Sequence, residues 1–279
     1  MPEQNTRDYT FHAEVLFISS DGRKRFFRDD LALEEPLEIK VGFSRNGQFV
    51  TSPLSLTMRT PGEDLELAAG FLYSERLLED KCQIVTINDS APNVVEIILN
   101  FDVSSELRAT KRNFFMHSGC GICGKNSIRF LKDMGIGKLE HGFPKVPVEV
   151  IYTLPERLMQ AQSLFSKTGG LHAAALFSLN GELLRIREDV GRHNAVDKLI
   201  GSYFLESNLL LGESILFLSG RTSFELVQKA LRACIPIVCS VGAPSSLAFQ
   251  TAEEFGLTLL GFVREGHFNV YTDFGRLVE

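Results

Sequence analysis

The sequence predicts a mixed α/β fold in which an α+β first part precedes a βαβαβ unit at the C-terminus. Hairpin turn signals, Asp-Gly or Asn-Gly between apolar runs, occur three times in the first two thirds of the chain. From Ser214 onward, short apolar runs and helical patterns alternate strictly, as expected for parallel strands joined by helices. A length of 279 residues allows one or two domains, and we predict two, 1–110 and 111–279.

Composition narrows the class of protein. A net charge of −6 argues against general nucleic-acid binding, and no apolar run is long enough for a membrane span. Residues 1–10 are polar and lack the apolar stretch of a signal peptide. The five cysteines are an odd number and too few for a disulfide scaffold, so we expect a cytoplasmic protein.

The first part is predicted to contain two hairpins, a helix and a further strand. The hairpins turn at Asp21-Gly22 and at Asn46-Gly47. The segment 60–63, Thr-Pro-Gly-Glu, predicts a helix start in which Thr60 caps the helix and Glu63 reaches back to it. Residues 93–101 alternate between apolar and polar side chains and predict a strand.

The middle of the chain predicts three more helices and a hairpin. Residues 126–134 have helical periodicity, and Gly135 is a natural stop. A second capping box at 153–156 predicts a helix that ends at Gly169-Gly170. A hairpin follows, with its turn at Asn180-Gly181, and residues 196–204 then show the spacing of a buried helix.

The last part predicts strands at 215–219, 235–241 and 257–263, with helices at 222–233 and 244–255 between them. Thr222 and Glu225 are predicted to cap the first of these helices. A final strand is expected at 268–272.

The motif that most strongly indicates chemical reactivity is the pair Cys120 and Cys123, because glycines surround these thiols and a lysine follows. They precede a predicted helix, whose N-terminal N–H groups together with Lys125 would favour the thiolate. A zinc site needs about two further ligands, and the His-x-Glu of a zinc deaminase is absent. Three interpretations stay open for this pair: a redox or sulfur-carrying thiol pair, a metal site and an inert structural pair.

Two loops form a second candidate site. Residues 219–223 and 241–246 each lead from a strand into a helix, and in a parallel sheet they share the edge where ligands collect. Glycines, hydroxyls and helix N-termini there can accept a phosphate, and Arg221 adds positive charge. Ordinary helix capping is the alternative interpretation.

The third candidate is residues 188–194, which combine acids, Arg192, His193 and an amide within seven positions. Such density is typical of an active-site loop, and His193 can move protons near neutral pH. His172 is either a second site residue or a packed core histidine. Cys234 and Cys239 flank or occupy an apolar strand, so we predict that both lie in the core.

Taken together, these segments resemble the formate dehydrogenase accessory family FdhD (FdhD/NarQ). The resemblance covers most of the chain, in the family's order, and is carried by residues 34–37, 60–64, 120–125, 168–174, 188–194, 197–198, 219–221, 240–244 and 261–262. The chain departs from the family pattern at Gly119, where many relatives carry Ser or another residue, and at Gly242, where Ser is frequent.

The resemblance implies a sulfurtransferase. Such a protein takes persulfide sulfur from a cysteine desulfurase and delivers it to the bis-guanine-dinucleotide molybdenum cofactor (Mo-bis-MGD), which is then inserted into formate dehydrogenase. It implies a three-layer α/β/α domain like that of cytidine deaminase, without the zinc site, so we expect no permanently bound metal. Two equivalent nucleotides on the acceptor suggest a homodimer. No nucleic acid or membrane is expected as a partner.

For this sequence, the resemblance implies that Cys120 carries the persulfide and that Cys123 assists its transfer. The segment from Phe262 to His267 corresponds to the family's cofactor-binding stretch near the C-terminus. The cofactor-binding residues expected from the resemblance and the loops together are Ser219, Gly220, Arg221, Gly242, Arg192, His193, Phe262, Val263, Arg264, Glu265, Gly266 and His267. Two rival functions remain, a thiol-disulfide oxidoreductase and a zinc-stabilised binding chaperone for formate dehydrogenase.

Overall fold

In the computed structural model, residues 9–104 and 124–279 are described, and they form a mixed α/β fold. The predicted domain boundary between 110 and 111 lies outside the described residues and stays a prediction. The strands are β1 (Thr10–Ile18), β2 (Lys24–Ala32), β3 (Glu35–Arg45), β4 (Gln48–Arg59), β5 (Ile84–Ala91), β6 (Val94–Leu99), β7 (Val146–Pro147), β8 (His172–Ser178), β9 (Leu183–Asp189), β10 (Ser214–Leu218), β11 (Ile237–Ser240), β12 (Thr258–Arg264), β13 (His267–Thr272) and β14 (Leu277–Val278). The helices are α1 (Asp64–Ser74), α2 (Gly124–Asp133), α3 (Val148–Ala161), α4 (Ser163–Thr168), α5 (Arg192–Leu205), α6 (Phe224–Arg232) and α7 (Ser246–Phe255), and Lys81–Gln83 is a 3₁₀ turn.

The central sheet has six strands in the order β13-β12-β11-β10-β8-β9. The strand pairs β10–β11 and β11–β12 are parallel, which confirms the predicted βαβαβ unit. All five residues of β10 are buried, as expected for a strand covered on both faces.

Helices cover the central sheet on both sides. Alternate residues of the strands pack on the layer that contains α5, α6 and α7, where Leu216 and Leu218 lie in the larger core cluster. The intervening residues pack on α3, where Phe217 and Ile237 lie in the smaller cluster. The central sheet is therefore the middle of three α/β/α layers, while the likeness to cytidine deaminase in particular stays a prediction.

The first part of the chain contains a four-stranded sheet, β4-β3-β6-β5, covered by α1. Helix α1 also packs closely on α5 of the second part. A Cβ added at Gly70 would lie 1.9 Å from the Asp197 carbonyl oxygen, and one at Gly201 would lie 1.9 Å from that of Glu66. The two backbones touch only because both crossing residues are glycines, and a single hydrophobic cluster continues from α1 into α5.

Two predicted helix starts are wrong. Helix α1 begins at Asp64 rather than at Thr60, and its N-cap, Glu63, makes no side-chain cap. The cause is a tertiary contact, because the Thr60 hydroxyl accepts a hydrogen bond from the Val190 N–H in the segment after β9 and so does not cap the helix. Helix α3 begins at Val148, five residues before the predicted cap at Thr153, and contains Pro155. Buried Ile151 shows that the apolar face of this helix starts earlier than its capping motif.

The start of α6 also differs from the prediction. The helix begins at Phe224 after Ser223, so Thr222 and Glu225 do not cap it. Thr222 instead forms a parallel bridge to Pro244 in the neighbouring loop. The predicted helix after the cysteine pair is confirmed as α2, which begins at Gly124, and Gly135 follows it with a φ of 73°. The three predicted hairpins are also confirmed.

Candidate functional site at the edge of the central sheet

The two strand-to-helix loops meet at one edge of the central sheet, as predicted. The Thr222 N–H donates to the Ala243 carbonyl at 3.2 Å, and the Ser245 N–H donates to the Thr222 carbonyl at 2.9 Å. The Gly242 N–H also donates to the Gly220 carbonyl. The loops therefore continue the parallel pairing of β10 and β11 beyond the strands, and we call this combined feature, residues 219–223 and 241–245, the loop edge.

Close backbone packing explains a glycine in each loop. A Cβ at Gly242 would lie 3.0 Å from both the N and Cα atoms of Arg221, so even a serine here would require the loops to separate. A Cβ at Gly220 would lie 3.1 Å from His172 Nδ1. Gly242 thus lies where the backbones of the two loops are in close contact.

Two polar atoms near this edge are buried without a partner in the described part of the chain. Thr222 is only 1% exposed, and its hydroxyl oxygen has no hydrogen-bond partner within the described part of the chain. The Nε atom of Arg192, at the start of α5, is in the same condition among those residues. Buried polar groups in folded proteins are almost always paired, so these two atoms are candidates for contact with a ligand.

Strand β12 adds an aromatic residue beside the loops. The Phe262 N–H donates to the Gly242 carbonyl at 3.1 Å, and the Phe262 side chain remains 42% exposed. Its φ of 51° is unusual for a bulky residue and occurs where the β12–β13 pairing is irregular. Backbone strain of this kind costs about 1–3 kcal/mol and is typical of functional positions.

The rest of the segment Phe262–His267 serves the fold in several ways. Val263 is fully buried in the smaller core cluster. Arg264 donates to the Val241 carbonyl at 2.8 Å, which ties β12 to the loop edge. Glu265 and Gly266 form the turn between Arg264 and His267, which are paired across the β12–β13 hairpin.

Ser219 and Arg221 have different roles within their loop. The Ser219 hydroxyl accepts a hydrogen bond from the Ala173 N–H at 2.7 Å, so it joins β8 to the loop. Arg221 is exposed and leaves its guanidinium accessible. Of the predicted residues in this loop, Arg221 is therefore the one with a charged group available to a ligand.

His193 lies next to the N-terminus of α6. Its Nε2 is 3.1 Å from the Ser223 hydroxyl and 3.8 Å from a Glu225 carboxylate oxygen. The contact with His193 is the main reason that the pKa of Glu225 falls to about 2, and Ser223 contributes in the same direction. The Glu225 carboxylate is therefore ionised at neutral pH and is held beside the imidazole.

His172, at the start of β8, is half-buried against Gly220. Burial lowers its pKa, and the positive charges of Arg192 and His193 act in the same direction. This histidine is neutral at physiological pH, so it offers a hydrogen bond rather than a charge to the loop edge.

The segment 188–194 separates into two sets of residues. Glu188 accepts the backbone N–H groups of Leu164 and Phe165 and thereby holds the start of α4. Asp189 is fully buried, and Asn194 donates to it and to the Met58 carbonyl. These acidic and amide side chains stabilise the fold, and only Arg192 and His193 belong to the candidate site.

Asp189 is the centre of a buried junction that the sequence did not reveal. It accepts the Thr60 and Gly191 N–H groups and forms a 2.9 Å ion pair with Lys198, which is also fully buried. Lys198 donates to the Thr60 carbonyl at 2.8 Å, and the Thr60 hydroxyl accepts the Val190 N–H. We call Thr60, Asp189 and Lys198 the buried junction, because it joins the end of β4 to β9 and α5.

Cys120 and Cys123 lie outside the described residues, so their predicted roles stay predictions. Helix α2 begins at Gly124, the residue after Cys123 in the sequence. Cys239 is buried, as predicted, and burial raises the pKa of its thiol. The prediction for Cys234 is wrong, because this residue is exposed in the turn after α6 with a φ of 56°. Cys82 is exposed as well.

Within residues 9–104 and 124–279, no helix is long and apolar enough to cross a membrane. No group of three or more His, Cys, Asp or Glu side chains is arranged there to hold a metal ion.

The model of the FdhD/NarQ family matches residues 32–278, which is nearly the whole chain. The chain belongs to this family. It is 45% identical over 267 residues to the "Sulfur carrier protein FdhD" of Streptomyces coelicolor, and the alignment covers 92% of each chain. It is 43% identical over 249 residues to the protein of the same name from Saccharolobus solfataricus, with 89% of this chain and 91% of the relative covered.

A solved structure supports the fold of this family member. It is the crystal structure of a protein from Desulfotalea psychrophila provisionally assigned as a formate dehydrogenase accessory protein. The TM-score is 0.74 at 23% sequence identity, and the match covers 97% of this chain and all of the other. At this identity the similarity establishes the fold alone.

Proposed function

We propose that this protein is a cytoplasmic sulfurtransferase that carries sulfur as a persulfide on Cys120. The sulfur donor is a cysteine desulfurase, and the acceptor substrate is the molybdenum cofactor that carries two guanine dinucleotides. The sulfurated cofactor then serves formate dehydrogenase. Two curated relatives that are 43–45% identical and named sulfur carrier proteins support this assignment.

The loop edge is the observation that carries the acceptor half of the proposal. The unpartnered Thr222 hydroxyl can donate to a phosphate oxygen, and the buried Nε of Arg192 can do the same with a positive charge. The N-termini of α6 and α7 point their partial positive charge to the same edge. A pyrophosphate fits this set better than a neutral ligand, because each of these groups can donate a hydrogen bond or adds positive charge.

Phe262 supports the assignment to a nucleotide. Its exposed ring lies next to the loop that would hold the phosphates, and a flat aromatic face can stack on a base. Arg221 adds an exposed charge at the same edge. A simple phosphate ester would have no use for this ring, so the pair of features favours a nucleotide.

Sulfur transfer requires two balanced steps at the cysteine pair. In the first, the Cys120 thiolate attacks the outer sulfur of the desulfurase persulfide, and the desulfurase cysteine leaves as a thiolate. In the second, the Cys123 thiolate attacks the Cys120 sulfur, a Cys120–Cys123 disulfide forms, and the outer sulfur leaves as sulfide, which replaces an oxygen ligand of the acceptor metal that departs as water. The two cysteine sulfurs supply the two electrons that reduce the outer sulfur to sulfide, and a cellular dithiol must reduce the disulfide before the next cycle.

The acceptor also leads us to propose a homodimer. Because it carries two equivalent nucleotides, two copies of one loop edge would bind it, with one nucleotide in each subunit.

The decisive experiment is intact-mass analysis after incubation with a cysteine desulfurase and cysteine. We expect the protein to gain one sulfur atom, which a reductant removes. Cys120→Ser should abolish the gain and Cys123→Ser should retain it, because only the second step uses Cys123. Cys234→Ser is the matched control, since this native cysteine is exposed but has no role in the proposal. A gain that persists in Cys120→Ser would refute the assignment.

A further inference from the structure

The first turn of α5 carries Arg192 and His193, the two residues of segment 188–194 that belong to the candidate site. The first N–H groups of a helix have no partner within the helix, so contacts from outside the helix fix how such a turn lies. The N-cap residue of α5 is Gly191, which has no side chain that could cap the helix. The direction in which the Arg192 side chain leaves the helix therefore depends on neighbouring side chains.

The Asn194 side chain ties this turn to the first part of the chain. Its Nδ2 atom donates to an Asp189 carboxylate oxygen at 3.1 Å and to the Met58 carbonyl at 2.8 Å. Its Oδ1 atom accepts a hydrogen bond from the Thr57 hydroxyl at 3.4 Å. Both donor positions and the oxygen of the amide are thus used, and two of these three bonds lead to the end of β4.

The Asp189 carboxylate closes the turn from below. Its Oδ1 atom accepts the Gly191 N–H at 2.8 Å as well as the Asn194 amide, so one atom binds the residues that flank the two site residues. The packing is close, because a Cβ added at Gly191 would lie 3.0 Å from the Asn194 Nδ2 atom. The Oδ2 atom of Asp189 pairs with the buried Lys198 at 2.9 Å, which fixes the carboxylate itself.

The position of Arg192 matters because of its Nε atom, which is buried without a partner among the described residues. Burial and then the positive charge of Arg192 lower the pKa of His172, which lies against Gly220, so the guanidinium is close to the loop edge. A hydrogen bond from this group to a phosphate is about 2.8 Å long and no longer exists at about 3.6 Å. A shift of the turn by less than about 1 Å would therefore abolish such a bond.

We propose that Asn194 is a positioning residue of the acceptor site, which holds the first turn of α5 on β4 so that Arg192 meets a phosphate group of the ligand. Asn194 does not contact the ligand itself. The inference rests on the proposed function, because the phosphates are those that the loop edge is proposed to bind. It also makes the first part of the chain necessary for a site whose named ligand contacts lie in the second part.

The test is a double-mutant cycle on the dissociation constant of guanosine diphosphate, measured by calorimetric titration of the full chain. Asn194→Ala should weaken binding about tenfold, because Arg192 no longer makes a well-placed bond to a charged phosphate. Arg192→Gln should weaken binding by a similar factor. In the Arg192→Gln background, Asn194→Ala should change the constant by less than about twofold, because both residues act through one contact. An effect of Asn194 on stability alone would be the same in both backgrounds.

Asn194→Asp keeps the size of the side chain but loses the donor. A carboxylate oxygen then faces the Asp189 carboxylate and the Met58 carbonyl, which both accept hydrogen bonds from the native amide. We expect this variant to weaken binding at least as much as Asn194→Ala does. Circular dichroism spectra like that of the unmodified protein will establish that each variant folds.

Asn100→Ala is the matched control. The Asn100 amide also donates to a backbone carbonyl at 2.8 Å, that of Cys82. Lys81, the residue before Cys82, contacts the Leu205 carbonyl at the C-terminal end of α5, which is about 20 Å along the helix from Arg192. The control therefore removes a similar bond far from the site and should leave the dissociation constant unchanged.

Amide hydrogen exchange in the unmodified protein tests the same contact without a substitution. If an open turn cannot bind the nucleotide, bound nucleotide suppresses the opening of the turn. At a nucleotide concentration of about 100 times the dissociation constant, exchange of the Gly191 N–H should slow at least about tenfold. The Asn100 N–H, which donates to the Gln83 carbonyl, should exchange at its original rate.

The possible failures are distinguishable. If the nucleotide binds the unmodified protein but Asn194→Ala has no effect, or has the same effect in both backgrounds, this inference is overturned and the proposed function stands. An unchanged exchange rate at Gly191 with the nucleotide bound overturns the inference as well. If the nucleotide does not bind the unmodified protein at all, the acceptor half of the proposed function fails together with the inference.

Discussion

Thr60 and Thr222 are both 1% exposed, yet their surroundings differ completely. In the buried junction, the Thr60 hydroxyl accepts the Val190 N–H and its backbone carbonyl receives Lys198. At the loop edge, the Thr222 backbone is fully used in bridging the two loops, but its hydroxyl has no partner among the described residues.

The polar groups of the buried junction stabilise the fold, whereas those near the loop edge are available to a ligand. At the buried junction, the charged groups of Asp189 and Lys198 pair with each other inside the protein. Near the loop edge, the Thr222 hydroxyl and the Arg192 Nε atom are buried without compensation from the described residues. Burial alone therefore does not distinguish a structural polar residue from a candidate ligand contact, whereas the presence or absence of a partner separates Thr60 from Thr222.

The largest expected effect is at the buried junction. Lys198→Met should lower the free energy of unfolding by about 3–5 kcal/mol, because it leaves the Asp189 carboxylate buried without its counter-ion. Urea denaturation measures this loss. Lys167→Met is the control, because Lys167 is exposed on α4 and its replacement should change stability by less than about 0.5 kcal/mol. A loss below about 1 kcal/mol for Lys198→Met would show that the junction does not hold the fold as described.

A smaller effect should distinguish the two threonines directly. Thr60→Val removes an acceptor and leaves the Val190 N–H unpaired, which should cost about 1–3 kcal/mol of unfolding free energy. Thr222→Val replaces an unpartnered hydroxyl with a methyl group of similar size, so we expect a change within about 0.5 kcal/mol of zero. Equal losses in the two variants would remove the distinction between junction and loop edge.

Local patterns in the sequence were sufficient for much of the fold. The Asn46-Gly47 and Asn180-Gly181 turns specify their hairpins, because the turn geometry requires residues that tolerate a positive φ. The alternation after Ser214 specifies parallel β10, β11 and β12, and this topology brings the two loops to one edge. That edge could therefore be predicted from the sequence.

Capping motifs failed wherever a distant segment used the same residue. Thr60 has the sequence context of an N-cap, but its hydroxyl accepts a hydrogen bond from the N–H of Val190, which lies 130 positions later. Thr222 also looks like a cap, yet it pairs with Pro244. A capping motif is local, and the sequence of a single chain does not contain the long-range contact that competes with it.

The charged segment 188–194 shows the same limit. Its composition predicts an active-site loop, and Arg192 and His193 do lie beside α6 or the loop edge. Glu188 and Asp189 point to α4 and the buried junction instead. Only the fold decides which side of the backbone each residue faces. The one earlier sign of the junction was the spacing of Lys198 within the apolar pattern of α5, where a charge needs a buried partner.

The most direct test of the account is calorimetric titration of guanosine diphosphate into the unmodified protein, Thr222→Val and Thr60→Val. We predict that the nucleotide binds the unmodified protein and that Thr222→Val weakens the affinity about tenfold or more, since it removes a hydrogen bond to a charged phosphate. Thr60→Val should retain the original affinity. If the nucleotide does not bind, or if it binds all three proteins equally, the loop edge is not the acceptor site.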